Sequence, residues 1–425
     1  NWNLKQKSND QIQMSLGWGQ MGALLQLGLK LNNFSIANLL KKNKDHKGFL
    51  PIGDGETMSL NAQTNGKYYQ SYGLQYATNW FGGKRPIQFT LGANFSKSTD
   101  LNSSYYNRSY MENYYNYMYG VGNYNYNNYE NYLDPDKYIQ IWGFYAGWGK
   151  RLRWPDDYFQ LSLQLSYQRY ILKNWRYFFV MSNGTANNLS LNITLNRSST
   201  DNQLYPRTGS EFSASLSITP PWSKFDKKDY KHLANDRFSA TYQEEQQEKY
   251  RWVEYHKWKF KARTFTALNN GNKCFVLMTR IEFGLLGSYN KYKKSPFETF
   301  YMGGDGMSGY SSNYAQETIG LRGYENGQLT QHGEGYAYER MTLELRYPFL
   351  LGNTTIYGLG FVEAGNAWTE TSKFNPFDVK RSAGIGVRIF LPMVGMMGID
   401  WAYGFDKVFG KRGGSQFHFI LGQEF

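Results

Sequence analysis

Apolar and polar residues alternate one by one through most of this chain. Near the start, Ile12, Met14, Leu16 and Trp18 fall on one side of the alternation, and Gln11, Gln13, Ser15 and Gly17 on the other. Phe159, Leu161, Leu163, Leu165 and Tyr167 repeat the pattern against Gln160, Ser162, Gln164 and Ser166. Leu189, Leu191, Ile193 and Leu195 do so against Ser190, Asn192 and Thr194. Successive side chains of a strand point to opposite faces, so each run has one greasy and one polar face. The polar face is built from Gln, Asn, Ser, Thr and Gly. A water-soluble sandwich would show Lys and Glu there, whereas a wet barrel interior suits small neutral polar groups.

Sixteen such segments are predicted: 10–18, 22–33, 56–65, 68–80, 86–97, 137–151, 158–172, 184–199, 210–220, 251–268, 273–289, 337–349, 355–368, 380–391, 396–405 and 415–425. An even number suits a closed up-and-down barrel with both ends on one side. If the first segment runs outward, short turns at 81–85, 153–157, 269–272 and 392–395 all fall on the periplasmic side. The long connections at 98–136, 221–250, 290–336 and 369–379 fall on the other. Only 34–55 breaks that rule. The expected fold is an all-β, sixteen-stranded antiparallel transmembrane barrel over 10–425, with long extracellular loops.

Composition narrows the function. The chain has 425 residues, a net charge of +13 and a mean hydropathy of −0.64. No apolar run approaches the roughly 20 residues a membrane helix needs, which excludes helical spanning and leaves barrels untouched. Cys274 is alone, so no intrachain disulfide or cysteine metal site is expected. No nucleic-acid-binding motif accompanies the basic charge. His46, His232, His256, His332 and His418 lack ligand spacing. The run Gly304-Asp305-Gly306-Met307-Ser308-Gly309 fits a dinucleotide fingerprint without its βαβ setting and is read as loop. No nucleophile elbow or catalytic carboxylate pair is visible, so neither enzyme activity, cofactor nor metal is expected. Lys257, Lys259, Lys261 and Arg263 form a basic stripe on one strand face, read as general lumen electrostatics. The Tyr/Asn-rich stretch 98–136 has too few aliphatics for a core and is either a contact surface or an inert loop.

Between the eleventh and twelfth segments the sequence reads Phe300-Tyr301-Met302-Gly303-Gly304 and then Leu321-Arg322-Gly323-Tyr324. This resembles the sixth extracellular loop of BamA-type barrels, the outer-membrane protein assembly (insertase) family. Asp201-Asn202-Gln203-Leu204-Tyr205-Pro206-Arg207-Thr208-Gly209, Phe361-Val362-Glu363-Ala364-Gly365 and the terminal 417–425 resemble further family landmarks in the same order. The resemblance implies that loop 290–336 folds into the lumen, where Arg322 pairs with acidic residues on the twelfth and thirteenth strands. These would be Glu344 and Glu363, the latter replacing the family's Asp. Parity independently turns Thr342, Glu344 and Arg346 inward, with Met341, Leu343 and Leu345 facing lipid. It leaves Glu363 open, because that residue shares its face with Leu359 and Phe361.

The same resemblance implies a lateral seam between the first strand (Gln11, Ile12, Gln13, Met14, Ser15, Leu16, Gly17, Trp18) and the last (Phe417, Phe419, Leu421, Gly422, Phe425). Gly422 tolerates a kink that would shorten their ladder. Strand edges short of partners in lipid are templates for incoming strands. The implied function is insertion of client barrels into the bacterial outer membrane. A passive porin, or a two-partner secretion pore of the same superfamily, is the alternative. Implied partners are outer-membrane lipid and lipopolysaccharide, nascent outer-membrane proteins and accessory lipoproteins, without nucleic acid. Residues 1–9 are expected to link to preceding periplasmic POTRA repeats.

Overall fold

A computed structural model describes residues 11–19, 22–36, 38, 55–66, 68–83, 86–101, 133–175, 182–236, 238–271, 273–305, 316–330, 334–391 and 395–421. The strands are β1 Gln11–Gly19, β2 Gly22–Phe34, β3 Glu56–Asn65, β4 Tyr69–Thr78, β5 Ile87–Leu101, β6 Leu133–Arg151, β7 Phe159–Lys173, β8 Gly184–Ser198 and β9 Gly209–Ile218. They continue as β10 His256–Ala267, β11 Val276–Gly287, β12 Phe300–Met302, β13 Glu317–Ile319, β14 Ala337–Leu350, β15 Thr355–Trp368, β16 Lys380–Leu391, β17 Gly395–Val408 and β18 Lys411–Leu421. All except β12 and β13 form one sixteen-stranded sheet in chain order, and every neighbouring pair is antiparallel. β12 and β13 pair in parallel inside the long connection from β11 to β14. Two short helices, α1 Trp222–Phe225 and α2 Tyr242–Tyr250, lie between β9 and β10.

The alternation predicts every member of this sheet. Leu74, Leu91, Phe144 and Leu165 point outward and are exposed, as are Met341, Leu343 and Leu345 of β14. Thr342 and Glu344, one residue out of phase, are buried. The boundaries differ where the pattern is weak. β10 begins at His256 rather than 251, because Val253 and Tyr255 leave the sheet to pack in the interior. β17 and β18 run to Val408 and from Lys411, joined by a tight turn at Phe409-Gly410 with positive φ at both residues. Gly410, Gly413 and Gly414 interrupt the apolar–polar alternation across that hairpin. Connections 219–255, 288–336 and 369–379 share one end with that from β5 to β6. The opposite end has short turns, including 152–158 and 351–354. Residues 1–9, 39–54 and 102–132, which include the expected tail and most of two loops, lie outside the described residues.

The interior is layered. At the long-loop end, Ile139, Tyr170, Trp175, Tyr250, Phe297, Phe300, Tyr336 and Tyr338 form an apolar plug, with Tyr170 and Phe297 stacked at 4.2 Å. At the short-turn end a second cluster gathers Tyr205, Phe265, Val276, Met278, Tyr357, Leu359, Phe361 and Met396. Leu359 and Phe361 therefore point inward and break the apolar-outward rule on β15. Tyr205 belongs to the 199–208 turn, which folds up into this end. Its hydroxyl donates to the carbonyls of Cys274 (3.0 Å) and Arg346 (3.2 Å). Asp201 ties the turn by accepting from the backbone N–H groups of Arg207 (2.8 Å) and Thr208 (3.1 Å). Between the two apolar layers lies a layer of charge.

Candidate functional site: the inward loop and its two anchors

The 288–336 connection turns inward and crosses this charged layer. Gly303 and Gly304 both have positive φ (130° and 75°), which L side chains rarely adopt. A Cβ on Gly303 would also strike the Glu325 carbonyl, so the turn needs glycine twice over. The N–H of Gly303 donates to the Ile319 carbonyl at 2.9 Å, and Gly304 bridges to Leu321. This brings the two halves of the loop together and aims Leu321, Arg322, Gly323 and Tyr324 at the wall.

One anchor is the basic stripe on β10. Lys257 reaches Glu317 (2.7 Å) and Glu298 (3.3 Å), and Lys259 reaches the other Glu317 oxygen (2.9 Å). The stripe therefore holds the loop, a specific role that its sequence reading as general electrostatics did not include. Burial opposes the charge on Glu317, but the two ammonium groups outweigh it and hold the carboxyl at about 2.

The second anchor is Arg322. Its Nη2 lies 2.7 Å from Glu363 and 3.3 Å from Glu344, and its Nη1 lies 2.8 Å from Asp400. The Arg322 backbone N–H donates to the second Glu363 oxygen at 2.9 Å. The guanidinium also lies 3.4 Å from the Phe361 ring centroid. The structure thus brings Arg322, Glu344 and Glu363 together and adds Asp400. Three further arginines join these carboxylates: Arg346 with Glu344 (2.6 Å), Arg388 with Asp400 (2.8 Å), and Arg340 with Glu282 (3.2 Å) and Glu363 (3.5 Å). In these ion pairs four guanidiniums meet four carboxylates, and loss of a member leaves a buried charge short of a partner.

Room for this layer comes from the inner face of β16 and β17. A Cβ on Gly384 would meet the Phe361 ring, one on Gly386 the Asp400 carboxylate, and one on Gly398 the Arg388 side chain. Tyr324 is fully buried, and its hydroxyl donates to the Arg381 carbonyl at 2.8 Å. The Gly323 N–H donates to Nε2 of His418 at 2.8 Å. Sequence reasoning missed Asp400, Arg388 and His418. The available signal was an ionisable residue in mid-strand, on the face shared by Met396, Gly398, Ala402 and Gly404. Among the described residues, no His, Cys, Asp and Glu group is placed to hold a metal ion.

The seam residues lie at the two ends of the sheet order. Gln11, Ile12, Gln13, Met14, Ser15, Leu16, Gly17 and Trp18 pair with β2 over Ala23–Lys30, and Ile12 is exposed. Phe417 and Phe419 point outward and are exposed, and Leu421 ends the described part of β18, paired with Met397. Gly422 and Phe425 lie outside the described residues. Among the described pairings, β1 has β2 as its neighbour and β18 has β17.

A model of the Omp85 superfamily domain matches residues 52–425. No curated protein sequence matches the chain. Among solved structures it is similar to BamA from Haemophilus ducreyi lacking POTRA domains 1–3, at a TM-score of 0.61 and 16% identity. That match covers 98% of this chain and 70% of the other. It is also similar to CdiB from Escherichia coli, at 0.53 and 10%, covering 96% of this chain and 66% of that one. At these identities the likeness is one of fold.

Proposed function

This chain belongs to the Omp85 superfamily, a family of outer-membrane β-barrel insertases and transporters of Gram-negative bacteria, and on that premise we propose that it is the barrel of an insertase. A client's terminal strand adds to β1, satisfying backbone groups that lipid would leave unpaired. The exposed backbone edge supplies the affinity, and each client strand in turn presents a new edge to the next. Nascent outer-membrane proteins are the substrates, surrounding lipid and lipopolysaccharide the medium, and POTRA repeats and accessory lipoproteins the delivery apparatus.

The observation that carries this reading is the inward loop, anchored at two places on the lumen wall. Lys257 and Lys259 hold it on β10, and Glu344, Glu363 and Asp400 hold it on β14, β15 and β17. Voids of about 100 and 320 Å³ remain beside it. A loop pinned inside the lumen by buried ion pairs favours a lateral route over an axial one. Reconstitution of the full-length protein in liposomes tests this. Several unrelated denatured barrels should fold faster than in empty liposomes, with little steady ionic current. Export of one dedicated partner without acceleration of barrel folding would instead favour the transporter reading, and a large steady current would contradict the lateral route.

A further inference from the structure

The tip of the inward loop grips the last strand as well as the wall behind it. Three consecutive loop residues meet three positions along β18. The Gly323 N–H donates to Nε2 of His418, whose ring is buried and sits opposite Asp400 in the β17–β18 register. Tyr324 lies on the bare backbone of Gly413, where a Cβ would come within 2.8 Å of the Tyr324 ring and overlap the Gly323 carbonyl. The carboxylate of Glu325 bridges Lys411 Nζ through both oxygens, at 2.6 and 2.7 Å. On β17, Gly404 leaves room for the same Gly323 carbonyl, and the β17–β18 ladder shifts register between Gly404 and Lys407. The Asp406 N–H, within that shift, donates to the Tyr324 hydroxyl at 3.4 Å.

A strand with a ladder on one side opens more readily than one with two. Among the described pairings β18 has the β17 ladder alone, so contacts from the lumen carry unusual weight there. We propose that Gly323-Tyr324-Glu325 is a clasp that positions β18, with His418 as the positioning residue, so that the state of the loop sets how freely the last strand's edge opens. Its meaning for client insertion rests on the seam reading above. The clasp itself is a physical coupling that stands or falls by a separate measurement.

Amide hydrogen exchange of the full-length protein in lipid nanodiscs tests it. In His418→Leu, which removes the acceptor, and in Gly413→Val, which displaces Tyr324, exchange across 411–421 should rise roughly tenfold. β7 and β8 should keep their wild-type rates. His418→Gln offers an amide oxygen to the same N–H and should restore protection. Unchanged exchange in β18, acceleration spread evenly over all strands, or failure of His418→Gln to restore protection would each overturn the clasp. If the leucine and valine variants do not fold, Glu325→Lys carries the test. It should loosen β18 by itself and be corrected by Lys411→Glu, and an uncorrected or absent effect counts against the proposal. Failure of the wild-type protein to accelerate client folding would remove the seam reading and leave this result untouched.

Discussion

The β7–β8 wall and the β14–β17 wall fill the same lumen by different chemistry. On β7 and β8 the inner face is neutral and self-paired. Ser166 and Ser190 hydroxyls share a hydrogen bond at 2.9 Å, Asn192 donates to Ser166 at 3.1 Å, and Ser162 donates to the Thr194 carbonyl at 3.3 Å. Several of these groups are only half-buried, so water substitutes for a lost partner at little expense. On β14 to β17 the inner face carries Glu344, Glu363, Asp400 and Arg388, all buried, and glycines replace the small polar residues to admit the loop. A neutral ladder gives a tolerant wall. A charged, glycine-lined one gives a wall that works only with its loop in place.

Arg322→Ala is the most severe way to break this contrast. It removes the cation shared by Glu344, Glu363 and Asp400, and the predicted loss is about 3–5 kcal/mol. The check is the midpoint of heat modifiability on a gel, which should fall sharply, and an unchanged midpoint would count against the two-anchor account. Gly386→Val comes next. Its side chain would displace the Asp400 carboxylate, and overpacking of this kind costs about 1–3 kcal/mol, read as a lower unfolding midpoint in denaturant.

The β10 anchor predicts a pH dependence that the neutral wall lacks. Lys257 and Lys259 hold Glu317 at about 2, below its ordinary value of 4.5. Its contribution is therefore complete above about pH 4.5 and disappears as pH falls through about 2. The difference in melting temperature between wild type and Glu317→Gln should close over that window. A gap that stays constant would place the carboxylate's role elsewhere. The smallest effect belongs to Ser166→Ala on the tolerant wall, where under about 1 kcal/mol is expected from the same melting experiment.

The same contrast explains what the sequence makes legible. Neutral strands such as β7 and β8 are plain, because lipid on one side and water on the other write the period-two pattern directly. Glu344 is legible for the same reason, since its neighbours Leu343 and Leu345 mark the lipid face. Phe361 and Leu359 defy that rule because the loop fills the lumen beside β15 and lets apolar side chains face inward. Asp400, Arg388 and His418 are set against Arg322 by strand stagger and by the path of a loop distant in sequence, neither of which has a local signature. The Lys257–Lys259 stripe was visible as charge, but its partner Glu317 lies across a long connection, so its role as an anchor was not.

Everything functional in this account depends on the edges of β1 and β18 parting for a client. Cysteine pairs scanned between 11–19 and 411–421, in a Cys274→Ser background, test that directly in the liposome folding assay. A bridged pair should abolish the acceleration of client folding, and reductant should restore it. A fully bridged protein that folds clients as fast as its reduced form would contradict it.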